Sequence, residues 1–230
     1  DGEKPFLAAC LASVIAQSDV AAIIVCIQES NQWINEVLAS VPADPRVNVV
    51  RLPLRPAGAI RNEAVKRVQT EWVAFCDGDD VWCQGKTLAQ RAFAEKKKAD
   101  FVASDHYLTD EKGRIRAFAL AKYLPMTSTW LMRTRIMREH PFREEKEYNG
   151  TEDHHWWFDT KQTVQKHRYP RMLLRYRVRG VSLSTAESSK ARKARVVALA
   201  SKPVIGWGVL VLTACMWLCN RSESYRPLHK

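Results

Sequence analysis

The sequence predicts an α/β fold: a mostly parallel central sheet with helices on both faces. Two observations carry this. Across the first 110 residues, apolar segments switch between the two-residue repeat of a strand and the 3.6-residue repeat of a helix. The strand-like segments are short, and the helical ones between them run about 10–15 residues, as the crossovers of parallel sheets do.

Taken in order, residues 5–17 (PFLAACLASVIAQ) predict a helix, 21–27 (AAIIVCI) a buried strand and 31–41 (NQWINEVLASV) a helix. A strand at 46–52 (RVNVVRL), a helix at 57–69 (AGAIRNEAVKRVQ) and a strand at 71–76 (EWVAFC) come after these. Next are a helix at 85–98 (GKTLAQRAFAEKKK) and a strand at 99–108 (ADFVASDHYL), then a polar turn of hairpin type at 109–114 (TDEKGR). The second half is less regular. Residues 128–137 (STWLMRTRIM) read as a strand passing into a helix, and 171–178 (RMLLRYRV) alternate like a strand. Residues 151–162 (TEDHHWWFDTKQ) predict a helix capped by Thr151, with Glu152 and Asp153 in the first turn where the helix dipole favours acids.

The 230 residues suit one sizeable domain, here 1–187, with an appendage at 188–230. An apolar content of 46% with 27% charged residues argues against wholesale disorder. The net charge of +11 is uneven: residues 1–100 carry 12 Lys/Arg against 13 Asp/Glu, and residues 101–230 carry 24 against 12. A basic back half points to an anionic partner: nucleic acid, phosphorylated substrate or acidic lipid. Six cysteines form no CxxC pair and no zinc spacing, and several sit in apolar runs; they read as reduced thiols in a cytosolic setting. The chain opens at Asp1 with neither a starting Met nor a signal peptide, and reads as a fragment or a processed chain. Residues 188–202 form a basic amphipathic stretch, and 203–220 run 18 residues without a charge. As a helix that run would span about 27 Å at 1.5 Å per residue, just short of a bilayer core of roughly 30 Å. It is expected to be buried in protein or lipid, and if it spans, its basic flank leaves the folded domain on the cytoplasmic side, at the inner face of the membrane.

The stretch EWVAFCDGDDVW, residues 71–82, sets Asp77, Asp79 and Asp80 at the carboxyl end of an apolar strand, where open α/β sheets bind ligands. Clustered carboxylates suit a hard cation such as Mg²⁺ or Mn²⁺, which takes oxygen ligands with phosphate and water completing the shell. Gly78 permits close backbone approach. A solvated acidic turn fits the same four residues. Arg61, early in the helix at 57–69, is placed to meet a diphosphate or ribose, with an exposed surface arginine as the alternative. Glu152 and Asp153 read either as an acid pair or as helix caps. Trp156 and Trp157 offer faces for sugar stacking or for core filling. His154 and His155 point about 100° apart on a helix and lack the spacing of a zinc motif.

In order along residues 5–185, FLAACLASVIAQ, RVNVVRLPLRPAGAIRNEAV, EWVAFCDGDDVW, TEDHHWW and YRVRGVSLS resemble the family 2 glycosyltransferases of the GT-A fold. The resemblance implies an inverting enzyme that moves a sugar from a nucleotide-diphosphate sugar to an acceptor hydroxyl. Asp77 would lie near the ribose and Asp79 would hold Mg²⁺ or Mn²⁺ with Asp80 supporting. Asp153 would act as general base with Glu152 flanking it. Two departures accompany the resemblance. The apolar strand that opens family members is missing before Asp1, and VCIQES stands where relatives carry an Asp-Asp-Gly-Ser-like turn, so Gln28 or Glu29 is the candidate for contacting the base. Arg179 stands where many relatives have a histidine, and a guanidinium there suits a diphosphate. The expected partners are a nucleotide-sugar donor, a saccharide or lipid-linked acceptor and a membrane surface, in polysaccharide or glycolipid assembly. A catalytically inactive, membrane-associated homologue is the second reading. A nucleic-acid-binding module is the third; no nucleic-acid motif supports it, and no nucleic acid is expected as a partner.

Overall fold

A computed structural model of the chain describes residues 2–121 and 124–179, with the isolated positions 207, 211, 226 and 227. The stretches predicted as a basic amphipathic segment and a C-terminal hydrophobic helix therefore lie, but for those positions, outside the described residues. Among the described residues no helix is long and apolar enough to cross a membrane.

Helix α1 (Lys4–Ile15) begins with Pro5 in its first turn, where the missing N–H costs nothing. It buries Leu7, Cys10, Leu11 and Val14, spaced along one helical face. Strand β1 (Ile23–Gln28) pairs in parallel with β2 (Val47–Leu52) across the short helix α2 (Ile34–Ala39). Helix α3 (Ala57–Arg67) starts directly after Pro56 and presses close on the loop ahead of α6. A Cβ on its Gly58 would overlap the Arg143 carbonyl oxygen, so only glycine fits.

Strand β3 (Trp72–Ala74) leads to the acidic turn, and β4 (Val81–Trp82) comes directly after that turn. Helix α4 (Lys86–Lys97) starts after Gly85 at φ +69° and stops at Lys98, itself left-handed at φ +53°. Strand β5 (Phe101–Thr109) is the centre of the larger sheet. It pairs antiparallel with β6 (Ile115–Ala119) through the predicted hairpin, antiparallel with β7 (Trp130–Arg133), and parallel with β8 (Lys166–Arg177). β3 lies antiparallel to β7 and β4 antiparallel to β8, while the pair Arg226–Pro227 (β9) adds to β6. Helix α5 (Thr134–Glu139) continues directly from β7, as its sequence predicts, and helix α6 spans Glu152–Asp159.

Pairing is thus mixed, with parallel ladders at β1–β2 and β5–β8 and antiparallel ones elsewhere, and no ladder joins the two sheets among the described residues. The physical reason is connection length. A five-residue hairpin turn can join β5 to β6 only antiparallel, whereas parallel partners need a crossover. Strand β8 begins five residues before the predicted one, and its ladder with β5 skips from Tyr169 to Met172. The skipped pair contains Pro170, which has no N–H to give, so the strand bulges there and resumes. The main core joins Phe75, Phe101, Trp130, Met132, Phe142 and Trp156 beneath α3, α5 and α6. Phe101 and Trp130 meet edge to face at 5.1 Å, a preferred aromatic geometry.

Candidate functional site

The carboxyl end of β3 runs straight into the acidic turn, and each of its side chains has a different environment. Asp77 keeps a third of its side chain exposed and accepts a hydrogen bond from Arg61 Nη2 at 2.8 Å. Its backbone N–H donates to Ser128 Oγ at 3.0 Å, and its carbonyl accepts the Asp80 N–H, closing the turn. Asp79 is nearly buried, and Arg179 Nε lies 2.7 Å from its Oδ2, an ion pair without the alignment of a hydrogen bond. Asp80 is fully buried. Its Oδ1 accepts the Arg177 N–H at 3.0 Å, while its Oδ2 is buried with no hydrogen-bond partner. Burial first, and the neighbouring Asp77 next, push the Asp80 carboxyl well above the usual range. Asp79 is raised as well, by burial against the opposing pull of Arg179.

Glu3 joins this group from the chain's start. A Cβ on Gly78 would meet Glu3 Oε2 at 2.7 Å, so the glycine makes room for a fourth carboxylate over the turn. Desolvation and then Asp77 and Asp79 raise the Glu3 carboxyl. Gly2 lends its carbonyl to Arg179 Nη1 at 2.9 Å.

The second acidic motif opens α6. Glu152 is buried; its Oε1 accepts a short hydrogen bond from Arg61 Nη1, and its Oε2 accepts the Gly150 N–H at 2.7 Å. Arg61 therefore spans the two motifs, one terminal nitrogen on Asp77 and the other on Glu152, and is no exposed surface arginine. Burial opposes its charge, but Asp77, Glu152 and Asp153 outweigh that and hold its pKa above the ordinary value. Asp153 keeps 17% of its side chain exposed. Its Oδ1 accepts the His154 N–H at 2.8 Å and its Oδ2 lies 3.4 Å from Thr127 Oγ1. Burial raises its pKa, against the pull of His154 and Arg61 and with the push of Glu152.

Several expectations meet a different geometry. Thr151 stands at the N-cap of α6 but makes no capping bond; its hydroxyl donates back to the Tyr148 carbonyl at 3.2 Å. Trp156 is core, 2% exposed with its indole N–H on the His140 carbonyl, and Trp157 packs half-buried on the same cluster. Neither face of Trp156 is free for a sugar. His154 is exposed beside Asp153, whereas His155 packs edge-on against Tyr148. Gln28 closes β1 half-buried and Glu29 is exposed, its N–H on the Leu52 carbonyl; none of the contacts above reaches either of them. Sequence reasoning missed Glu3, Arg177, Thr127 and Ser128. Thr127 falls between the predicted segments, and Ser128 read only as the start of the strand segment 128–137.

Among the described residues no three His, Cys, Asp or Glu side chains converge as a ready-made metal centre. The donors at the turn are all carboxylate oxygens, however, and Mg²⁺ commonly takes one or two of these and completes its shell with phosphate oxygens and water. The residue types thus fit a hard cation bound together with a diphosphate, Asp77 being the most exposed of the three carboxylates and Asp79 and Asp80 the enclosed ones.

Comparison with known proteins agrees with the fold. The family model described as Glycosyl transferase family 2 matches residues 2–168. No curated protein matches the chain. Among solved structures, S. aureus TarS 1–349 in complex with UDP-GlcNAc superposes with a TM-score of 0.65 at 15% identity, covering 86% of this chain and 63% of that one. The mannosyltransferase PcManGT from Pyrobaculum calidifontis, in complex with GDP-Man and Mn²⁺, gives 0.60 at 16% identity, covering 86% and 60%. The chain spans less than two thirds of the length of either neighbour. At such identities the likeness is one of fold, the GT-A arrangement expected from the motifs, and the match over most of the sequence adds the lineage: the chain belongs to glycosyl transferase family 2.

Proposed function

We propose that this chain is the catalytic domain of an inverting glycosyltransferase that moves a sugar from a nucleotide-diphosphate donor to an acceptor hydroxyl. The observation that carries the reading is Arg61, whose guanidinium joins Asp77 of the D-x-D turn to Glu152 beside Asp153. The carboxylates read as donor-side and acceptor-side are thereby held on one guanidinium. The neighbours bound to UDP-GlcNAc and to GDP-Man with Mn²⁺ favour a nucleotide-sugar donor and a divalent cation here.

In this mechanism Asp77 meets the donor's ribose, and Asp79, supported by Asp80, would hold Mg²⁺ or Mn²⁺. The bound cation would supply Lewis-acid charge to the departing diphosphate. Arg179 releases Asp79 to pair with the diphosphate, to which a guanidinium is well matched. Asp153 takes the proton from the acceptor hydroxyl as that oxygen bonds to the anomeric carbon from the opposite face. The bond from that carbon to the diphosphate breaks, and its electron pair leaves with the nucleoside diphosphate. A carboxyl raised by burial is a stronger base than an exposed aspartate, which suits this role. Glu152 keeps Arg61 in place, and Gln28 or Glu29 reaches the base. The basic 188–202 stretch and the uncharged run after it support a site at the inner face of a membrane and a saccharide or lipid-linked acceptor.

One feature favours a second reading, a catalytically inactive homologue: Arg179 already occupies Asp79, with Glu3 over Gly78. A screen of UDP-, GDP- and TDP-sugars with Mn²⁺ or Mg²⁺ separates the two. The transferase reading predicts cation-dependent donor binding that Asp79→Ala abolishes. It also predicts that Asp153→Asn spares binding and lowers turnover by at least about 100-fold. Normal turnover by Asp153→Asn overturns the base assignment, and cation-independent or absent donor binding supports the inactive homologue.

A further inference from the structure

The short segment just before β7 touches both acidic motifs. Because β3 and β7 are antiparallel, with Ala74 opposite Leu131, the residues ahead of Trp130 must lie beside those that come after Ala74. Ahead of Trp130 is a 3₁₀ turn, Thr127–Thr129, and beyond Ala74 is the acidic turn. Successive residues of a 3₁₀ turn point about 120° apart, so neighbouring side chains face different walls. The Thr127 hydroxyl lies 3.4 Å from Asp153 Oδ2 on α6, and the Ser128 hydroxyl accepts the Asp77 N–H at 3.0 Å.

The turn is itself anchored. All three of its residues are buried, at 3%, 1% and 0% exposure. The Ser128 carbonyl accepts the Trp82 indole N–H at 3.1 Å, and the Thr129 carbonyl accepts Gln90 Nε2 at 2.8 Å. A hydroxyl on so fixed a backbone constrains whatever it bonds. Asp153 then has one oxygen held by the His154 N–H and the other by Thr127, which leaves lone pairs on both for a further donor.

We propose that the Thr127–Thr129 turn sets the spacing between donor and acceptor, Thr127 being a positioning residue for Asp153 and Ser128 a positioning residue for the D-x-D turn. The catalytic part of this inference rests on the transferase reading; the contact between Thr127 and Asp153 does not. The charged and titratable groups facing Asp153 are Arg61 from α3 and Glu152 and His154 from α6, and none changes when Thr127 is replaced.

The test is an NMR titration of Asp153 in ¹³C-aspartate-labelled protein, with Asp153→Asn identifying the signal. A hydroxyl that donates to a carboxylate favours its ionised form. Thr127→Val should therefore move the Asp153 midpoint to higher pH, and Thr127→Ser should restore it. Thr127→Ala gives the same readout if the valine variant does not fold. Ser128→Ala should leave the Asp153 midpoint in place and weaken Mn²⁺-dependent binding of a nucleoside diphosphate. With a donor substrate in hand, Thr127→Val should lower kcat about tenfold with the donor KM unchanged, a loss of the size expected for one hydrogen bond to a charged group. An Asp153 midpoint that is the same in Thr127→Val and wild type overturns the proposal. A shifted midpoint in a protein that turns over no donor leaves the positioning contact standing and refutes the transferase reading instead.

Discussion

Single residues in this chain owe their behaviour to their surroundings more than to their type. Asp77, Asp79 and Asp80 are chemically identical, yet one faces a guanidinium and solvent, one an arginine under partial cover, and one is enclosed. Their location at a strand end was legible in the sequence, because the apolar run 72–76 stops directly at the first acid, although a solvated acidic turn fits the same residues. Their separate environments were not, since these depend on Arg177 and Arg179, some hundred residues away. Lys86 shows the same dependence. It is fully buried, its amine 2.7 Å from Gln90 Oε1 and 4.4 Å from the centre of the Trp82 ring, and burial lowers its pKa to about 7. A lysine in an unfolded chain titrates near 10.4. The unfolded state therefore binds the extra proton between these values, and stability rises with pH from about 7 towards 10.4. The penalty is complete below the folded value and absent above the unfolded one. Lys86→Met should flatten that rise, by up to about 1.4 kcal/mol per pH unit, in urea unfolding measured across this range. Curves for variant and wild type that stay parallel would contradict the assignment.

At the scale of elements, period and composition located almost every helix and strand of the first 110 residues, with ends displaced by at most three positions. The strand at 71–76 is the clearest shift: its ladder stops at Ala74, opposite Leu131, ahead of the acidic turn. β4 escaped notice because two residues have no periodicity, and the start of β8 was hidden by Pro170, which reads as a strand breaker until the bulge is seen. Helix α6 carried the largest ambiguity. TEDHHWW permits a sugar platform or a core helix, and only packing decides: Trp156 lies 5.0 Å from Trp130 and 5.7 Å from Phe101, ring centre to ring centre. The same helix thus anchors itself by Trp156 and sets Asp153 against Thr127. Trp156→Ala should cost about 3–5 kcal/mol in chemical denaturation, the range for emptying a buried aromatic site. A loss below about 1 kcal/mol would mean that the ring is not the anchor.

For the molecule as a whole, the alternation of strands and helices announced the α/β class, and five motifs in order announced the family. Pattern reasoning could not reach the way distant pieces close on one another. Arg61 from α3, the Thr127–Thr129 turn and α6 come from three separate stretches, yet together they fix where the acid pair stands relative to the D-x-D turn. The central claim is that these two acidic motifs face one cavity, so that a base and a cation-bound diphosphate act on the same bond. Paramagnetic broadening by Mn²⁺ bound together with a nucleoside diphosphate tests this directly. The account predicts strong broadening of the Asp153 amide and the His154 ring signals in the wild type, and its disappearance in Asp79→Ala. Sharp Asp153 and His154 signals in a protein saturated with both ligands would contradict it.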